Sequence, residues 1–255
     1  MRLGMLYPGY AAEDDLPWLV EALFDDGSVV ADVVHTSIGE DAHRVDALLD
    51  LGRADRLAEG AETLRRNGAD VAVWACTSGS FVFGWDGARR QVAELASAFG
   101  GPASSTSLAF VEALRALGAE SVAIAATYPE PVTRCFVQLL GDAGFEVLAS
   151  ESHGIVTAAE VGTASRDAVL ELASAGDHPD ADALLVPDTA LHTVRWLSEL
   201  EHTVGKPVLS ANQVTVWEAL RLAGRPPGAP NLGTLFQSPM SHSSPRWASH
   251  DRKRR

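Results

Sequence analysis

Cysteine is nearly absent, with only Cys76 and Cys135 in a chain of 255 residues. That excludes a disulfide framework, and neither thiol sits in the C-x-x-C or Cys/His spacing that binds zinc, so no metal site is expected. Each free thiol then needs a reason, either burial or reactivity. Basic residues are also scarce, 20 Lys and Arg against 34 Asp and Glu, for a formal net charge of -14. Phosphate backbones need a basic field, so no nucleic-acid partner is expected, and an anionic ligand would have to be held by local donors. The one basic run, 252–255, ends a Ser/Pro-rich segment, and 241–255 is expected to be a disordered basic tail. No apolar run reaches the roughly 20 residues needed to span a bilayer, and the opening MRLGMLYPGY lacks the layout of a secretory leader. The expectation is a cytoplasmic protein with no membrane partner, in which a homo-oligomer remains open.

What is present is a regular alternation. Short apolar, β-branched runs at 2–7, 28–35, 71–75, 121–127, 145–149, 182–187 and 207–210 predict strands. Between them, helical spacing predicts helices at 41–67, 88–99, 108–117, 132–143, 164–175, 189–204 and 214–223. Strands separated by helices read as βαβ units. Near-continuous apolar strands such as VAVWA and ALLVP suit a parallel sheet covered on both faces, so the fold class is α/β.

The chain also repeats itself. LGMLYP at 3–8 matches VAIAATYP at 122–129, and ADVAVWACT, ending at Thr77, matches ADALLVPDT, ending at Thr189. GGPASSTSLAFVEALRALG from Gly100 matches GKPVLSANQVTVWEALRLAG from Gly205. Three collinear matches imply two pseudo-symmetric α/β halves, each a short parallel sheet flanked by helices, with the active site in the cleft between them. The expected division is 1–100 plus 212–240 for the first half and 101–211 for the second. Ligands bind beyond the carboxyl ends of parallel strands, where turn N–H groups and helix N-termini point. Tyr7, Cys76 and Ser105 should then oppose Tyr128, Asp188 and Ser210 across one cleft.

The strongest local signal is ACTSGSF at 75–81. A strand ends, a cysteine follows, and Thr77, Ser78, Gly79 and Ser80 offer small side chains and closely spaced backbone donors. Such a turn can hold a carboxylate or enediolate oxygen, and its positive potential is expected to lower the thiol pKa. Cys135, inside the helical RCFVQLL, reads as core.

ACTSGSF, AATYPEPVTRCF and GKPVLSANQVTVWEALRLAG together resemble the aspartate/glutamate racemase superfamily, in its maleate isomerase and arylmalonate decarboxylase branch. The resemblance covers residues 3 to about 224. It implies two pseudo-symmetric halves, no cofactor, a small carboxylate substrate and chemistry at Cys76, which matches the first of the two cysteines of maleate isomerases. It also implies Thr77, Ser78, Tyr128 and Ser210 as substrate-binding donors, with Thr189, Asn212 and Gln213 as weaker ones.

The departures are informative. Asp188 stands at the second cysteine position, GYAAEDD at 9–15 replaces an Asn-Thr-Thr, and Ala158 or Ala159 stands where an Asn is expected. Arylmalonate decarboxylases lack those asparagines too, but use the second-half cysteine and carry glycine where Cys76 stands. Asp188 is therefore either a second acid/base or the N-cap of the helix that follows, and His192 either orients it or is solvated. Glu13, Asp14 and Asp15 read as helix N-terminal charges. The leading functional expectation is a cis-trans isomerase in which the Cys76 thiolate adds to an unsaturated dicarboxylate. The alternatives are a decarboxylase or racemase with Cys76 as proton donor or base, and a catalytically silent carboxylate-binding protein.

Overall fold

The computed structural model describes residues 1–225 and 232–237. The expected tail, 241–255, lies outside the described residues. In the first half, β1 (Arg2–Pro8), β2 (Val30–Thr36), β3 (Val71–Trp74) and β4 (Ala103–Ser105) form a parallel sheet of order β2-β1-β3-β4. In the second, β5 (Ser121–Ala126), β6 (Glu146–Ser152), β7 (Ala183–Val186) and β8 (Val208–Ser210) form one of order β6-β5-β7-β8. The sequence repeat is thus a topological repeat. Even the register agrees, since Trp74 pairs with Ser105 and Val186 with Ser210.

Helices α1 (Asp15–Leu23), α2 (Val45–Leu51), α3 (Ala54–Arg66), α4 (Ser78–Phe81) and α5 (Gly84–Phe99) serve the first sheet. Helices α7 (Glu130–Asp142), α8 (Ala158–Val161), α9 (Arg166–Gly176) and α10 (Leu197–Val204) serve the second. Between the halves α6 (Thr106–Leu117) packs on α11 (Ala211–Leu222), joined by a 2.6 Å hydrogen bond between the Thr106 and Thr215 hydroxyls. Each of these helices starts on a serine cap, Ser105 and Ser210. β3 and β7 are buried at every position, and their neighbours alternate between faces. Leu3, Met5, Tyr7 and Val73 join a core shared by both halves, whereas Leu6, Ala72, Trp74 and Cys76 face a separate cluster outside the first sheet. This is the burial on both faces that apolar strands without alternation require.

Four expectations are corrected. The helix expected at 41–67 starts only at Val45 and is two helices, broken at Gly52 and Arg53 because α2 must turn to let Gly52 pack on Gly79. The helix expected at 189–204 begins only at a 3-10 turn (Val194–Trp196), because side-chain carboxylates hold the preceding N–H groups in turns. The short β4 carried no periodicity, yet it pairs with β3, so the first sheet runs past the division at residue 100. Helix α1 was not expected as an element at all, only its acidic start.

Candidate active site

Cys76 and Asp188 each lie two residues beyond the last residue of the third strand of their half. β3 and β7 sit inside their sheets, so both side chains emerge at the carboxyl end of a central strand. They line one cavity of about 270 Å³ together with Ser78, Thr189 and Ala190. Tyr10, Ile38, Leu48 and Leu51 add apolar walls, and Glu40, Asp41 and His43 complete a polar side.

The local structure around the sulfur is tight. The Gly79 N–H donates to Cys76 Sγ at 3.3 Å, and the Ser78 hydroxyl lies 3.8 Å from it. A β-carbon at Gly79 would stand 3.1 Å from the sulfur and 3.2 Å from the Trp74 ring, so only glycine lets the backbone come this close. The Gly79 carbonyl in turn accepts from Gln91 Nε2 at 2.8 Å and from the Trp74 indole at 3.3 Å. Gln91 Nε2 also donates to the Gly52 carbonyl, and a β-carbon at Gly52 would lie 2.1 Å from Gly79 O. Gly52, Gly79 and Cys76 are therefore stacked in contact.

The residues 78–81 form one helical turn, α4, rather than an open turn. Cys76 is 3% exposed, and burial pushes the thiol up to about 12. The Gly79 and Ser78 donors pull in the other direction, and the negative charge of Asp188 adds to the rise. The expected lowering by turn amides is thus outweighed by desolvation, and Cys76 is a neutral thiol at neutral pH.

Asp188 is buried and doubly bonded. The Thr127 hydroxyl donates to Oδ2, in a short contact, and the Ala190 N–H donates to Oδ1 at 2.9 Å. It closes a turn two residues ahead, and no α-helix starts there, which removes the N-cap reading. His192 points away from it, with Nε2 2.8 Å from Asp14 Oδ1. Asp15 is no solvated helix charge either. Its carboxylate accepts from the N–H groups of Thr193 and Val194 and from Asn212 Nδ2, and burial raises its pKa.

The remaining expected donors divide. Ser78 and Thr189 line the cavity, whereas Thr77, Tyr128, Ser210 and Asn212 stand behind its lining. The Thr77 hydroxyl is buried without a hydrogen-bond partner among the described residues. Tyr128 donates to the Pro187 carbonyl at 3.0 Å, bracing the strand end that carries Asp188, and burial raises its phenol well above the ordinary value. Tyr7 does the corresponding work by donating to the Thr189 carbonyl at 3.0 Å. Ser210 forms a capping box with Gln213 and accepts from the Thr193 hydroxyl at 2.9 Å. Asn212 Nδ2 donates to the Thr189 carbonyl at 3.1 Å and to Asp15. Ser105 mirrors Ser210, accepting from the Ser80 hydroxyl at 3.0 Å. Sequence reasoning missed His43 and Tyr10, for they come from loops whose local pattern carries no signal of the cavity they meet.

Among the described residues no group of three or more His, Cys, Asp or Glu is arranged to hold a metal ion, and no helix is long and apolar enough to cross a membrane. Comparison with known proteins agrees with this architecture. The chain is 29% identical over 185 residues to the arylmalonate decarboxylase of Bordetella bronchiseptica, covering 71% of this chain and 77% of that one. It is 28% identical over 173 residues to the maleate isomerase of Geobacillus stearothermophilus, covering 66% and 69%. A crystal structure of arylmalonate decarboxylase in liganded form, with a glycine changed to cysteine and a cysteine to serine, superposes with a TM-score of 0.81. That pair shares 26% identity over 92% of this chain and 98% of the other. The maleate isomerase of Pseudomonas putida S16 in complex with maleate, at 21% identity over 93% of this chain and 97% of that one, shares the fold with a TM-score of 0.85. The arylmalonate decarboxylase family profile matches residues 51–236, a stretch that includes both matched strand ends and all of the second half, and on this ground the chain belongs to the arylmalonate decarboxylase family and is an enzyme.

Proposed function

We propose that this enzyme carries out cofactor-independent proton chemistry at the α-carbon of a small carboxylate, with Cys76 as proton donor and Asp188 facing it as the second acid/base. The observation that carries this reading is that a neutral thiol and a carboxylate, at equivalent strand ends of two like halves, line one small cavity. In a decarboxylation the bond to the departing CO₂ breaks and its electron pair passes to the α-carbon and the remaining carboxylate. The S–H of Cys76 then supplies the proton. In a racemisation Asp188 removes a proton from one side and Cys76 delivers one from the other. The apolar walls of Tyr10, Ile38, Leu48 and Leu51 suit an aryl or alkyl substituent, and Ser78 with the α4 amides suits the carboxylate.

Cis-trans isomerisation of an enedioate is the second reading, and one observation favours it. The Gly79 N–H and the Ser78 hydroxyl both approach the sulfur, which would stabilise a thiolate once substrate binding generates it. A cytoplasmic setting belongs to the same proposal. Incubation with phenylmalonate in deuterium oxide, followed by proton NMR, should give phenylacetate with one deuterium at the α-carbon. Incubation with maleate should give fumarate only under the second reading. Undiminished turnover by Cys76→Ala would remove both.

A further inference from the structure

The loop that follows β2 bends over the cavity and is anchored on the opposite half. The His43 N–H donates to the Val156 carbonyl at 2.7 Å, and His43 Nδ1 lies 2.9 Å from the Ile155 carbonyl. The Asp41 carboxylate accepts from the N–H groups of Ala158 and Ala159 at 2.8 and 3.1 Å. His43 is only 6% exposed, its ring stands perpendicular to that of Tyr128 with centroids 5.0 Å apart, and it lines the cavity beside Cys76 and Asp188.

A carbonyl oxygen only accepts, so the Nδ1 contact places the proton on Nδ1 and leaves Nε2 as the ring's second polar atom. Nε2 has no hydrogen-bond partner among the described residues. The charge of the lining sharpens the point. Among the described residues, Glu40, Asp41 and Asp188 contribute carboxylates to the lining, none of the lining is Lys or Arg, and His43 is the one lining side chain able to become a cation. The two loop acids are already committed, Glu40 to Arg44 at 2.9 Å and Asp41 to the backbone of α8. Arg44 is itself shared between Glu40 and Asp46.

We infer that His43 is the anion-pairing, specificity-determining residue of this cavity. On binding of a dicarboxylate, Nε2 takes one proton from solvent and the resulting N–H donates to the carboxylate that the Ser78 side does not hold. This inference rests on the carboxylate reading proposed above. The titratable or charged groups facing His43 are Glu40, Asp41 and Arg44 on its own loop, Tyr10, Cys76, Tyr128 and Asp188 from the strand ends. Burial keeps Cys76 and Tyr128 protonated throughout the range in which a histidine changes charge.

Two substitutions separate the roles of the two ring nitrogens. His43→Asn places an amide N–H near the Nδ1 position and keeps the Ile155 bond, but has nothing at Nε2. His43→Gln reaches the Nε2 position without a titratable charge. Calorimetry of phenylmalonate and phenylacetate binding uses the full chain carrying Cys76→Ala, which blocks turnover, in two buffers of different protonation enthalpy. With His43 present, phenylmalonate should bind with net proton uptake, read as a binding enthalpy that differs between the two buffers. His43→Asn should abolish the uptake and weaken phenylmalonate about 10- to 100-fold, the range of a hydrogen bond to a charged group, while leaving phenylacetate unchanged. His43→Gln should bind phenylmalonate at an intermediate affinity and without proton uptake. Equal phenylmalonate affinity with and without His43, or no proton uptake, overturns the inference and leaves the site reading standing. No binding of phenylmalonate, phenylacetate or maleate with His43 in place overturns the site reading and this inference with it.

Discussion

The two halves of the molecule share strand order, register and serine caps, yet their equivalent strand ends carry different chemistry. In the first half Cys76 is followed at once by α4, whose Gly79 N–H faces the sulfur. In the second half Asp188 is followed by a turn, and both of its oxygens are bonded, by the Thr127 hydroxyl and the Ala190 N–H. The scaffold that presents a side chain to the cleft is therefore separable from the chemistry of that side chain. The halves also differ in how they hold equivalent charges. Glu218 and Arg221 on α11 form a largely buried pair, with side chains 2% and 9% exposed, whereas Glu112 and Arg115, in the same Glu-Ala-Leu-Arg segment of α6 but one residue nearer its serine cap, are 13% and 37% exposed.

Substitutions at equivalent positions break this comparison with graded effects. The largest is expected at the strand ends. Cys76→Ala should lower kcat by at least about 1000-fold, since it removes the one proton donor that no neighbour replaces, whereas Asp188→Asn should cost about 100-fold. Steady-state turnover of phenylmalonate measures both, and equal losses would show the halves to be chemically equivalent. The same pair is coupled electrostatically. Because burial and the Asp188 charge hold the Cys76 thiol at about 12, its alkylation by iodoacetamide should keep accelerating as pH rises towards that value. Removing the charge in Asp188→Asn lowers the thiol pKa, so alkylation at any fixed pH should be faster, as peptide mass spectrometry would show.

Stability gives the next step down. Glu218→Gln removes the buried carboxylate that bonds Arg221 and should cost about 2 kcal/mol, the range of a hydrogen bond to a charged group. Glu112→Gln, in the more open pair of α6, should cost about 0.5 kcal/mol. Urea unfolding monitored by circular dichroism separates the two values. The smallest contrast is between the caps. Ser210→Ala removes a capping box and the acceptor of Thr193, and Ser105→Ala removes a cap and the acceptor of Ser80, each worth about 1 kcal/mol. Near-equal losses would show that the twofold extends to the helix starts.

Much of this was legible in the chain. The apolar runs at 71–75 and 182–187 become β3 and β7 because residues buried on both faces of a sheet must be apolar at every position. The paired Glu-Ala-Leu-Arg segments become α6 and α11. What failed did so where a distant group overrides a local pattern. The helical spacing from residue 189 is interrupted because Asp15, far away in sequence, takes the N–H groups of Thr193 and Val194. The spacing from residue 41 is interrupted by the close approach of Gly52 to Gly79. The sequence left Asp188 open between an acid/base and a helix cap, and the cap reading fails because the following α-helix begins only at Leu197.

By itself the sequence determined the main alternation of strands and helices, the doubling of the scaffold and the placement of a thiol and a carboxylate at matched strand ends, which follow from local periodicity and from the internal repeat. Tertiary structure alone decided that the thiol is neutral, that Asp188 is bonded on both oxygens, and that His43 meets them over one cavity. Protonation and encounter depend on which atoms displace water around a group. Those atoms come from segments tens to more than a hundred residues apart, so no local window of the chain contains them.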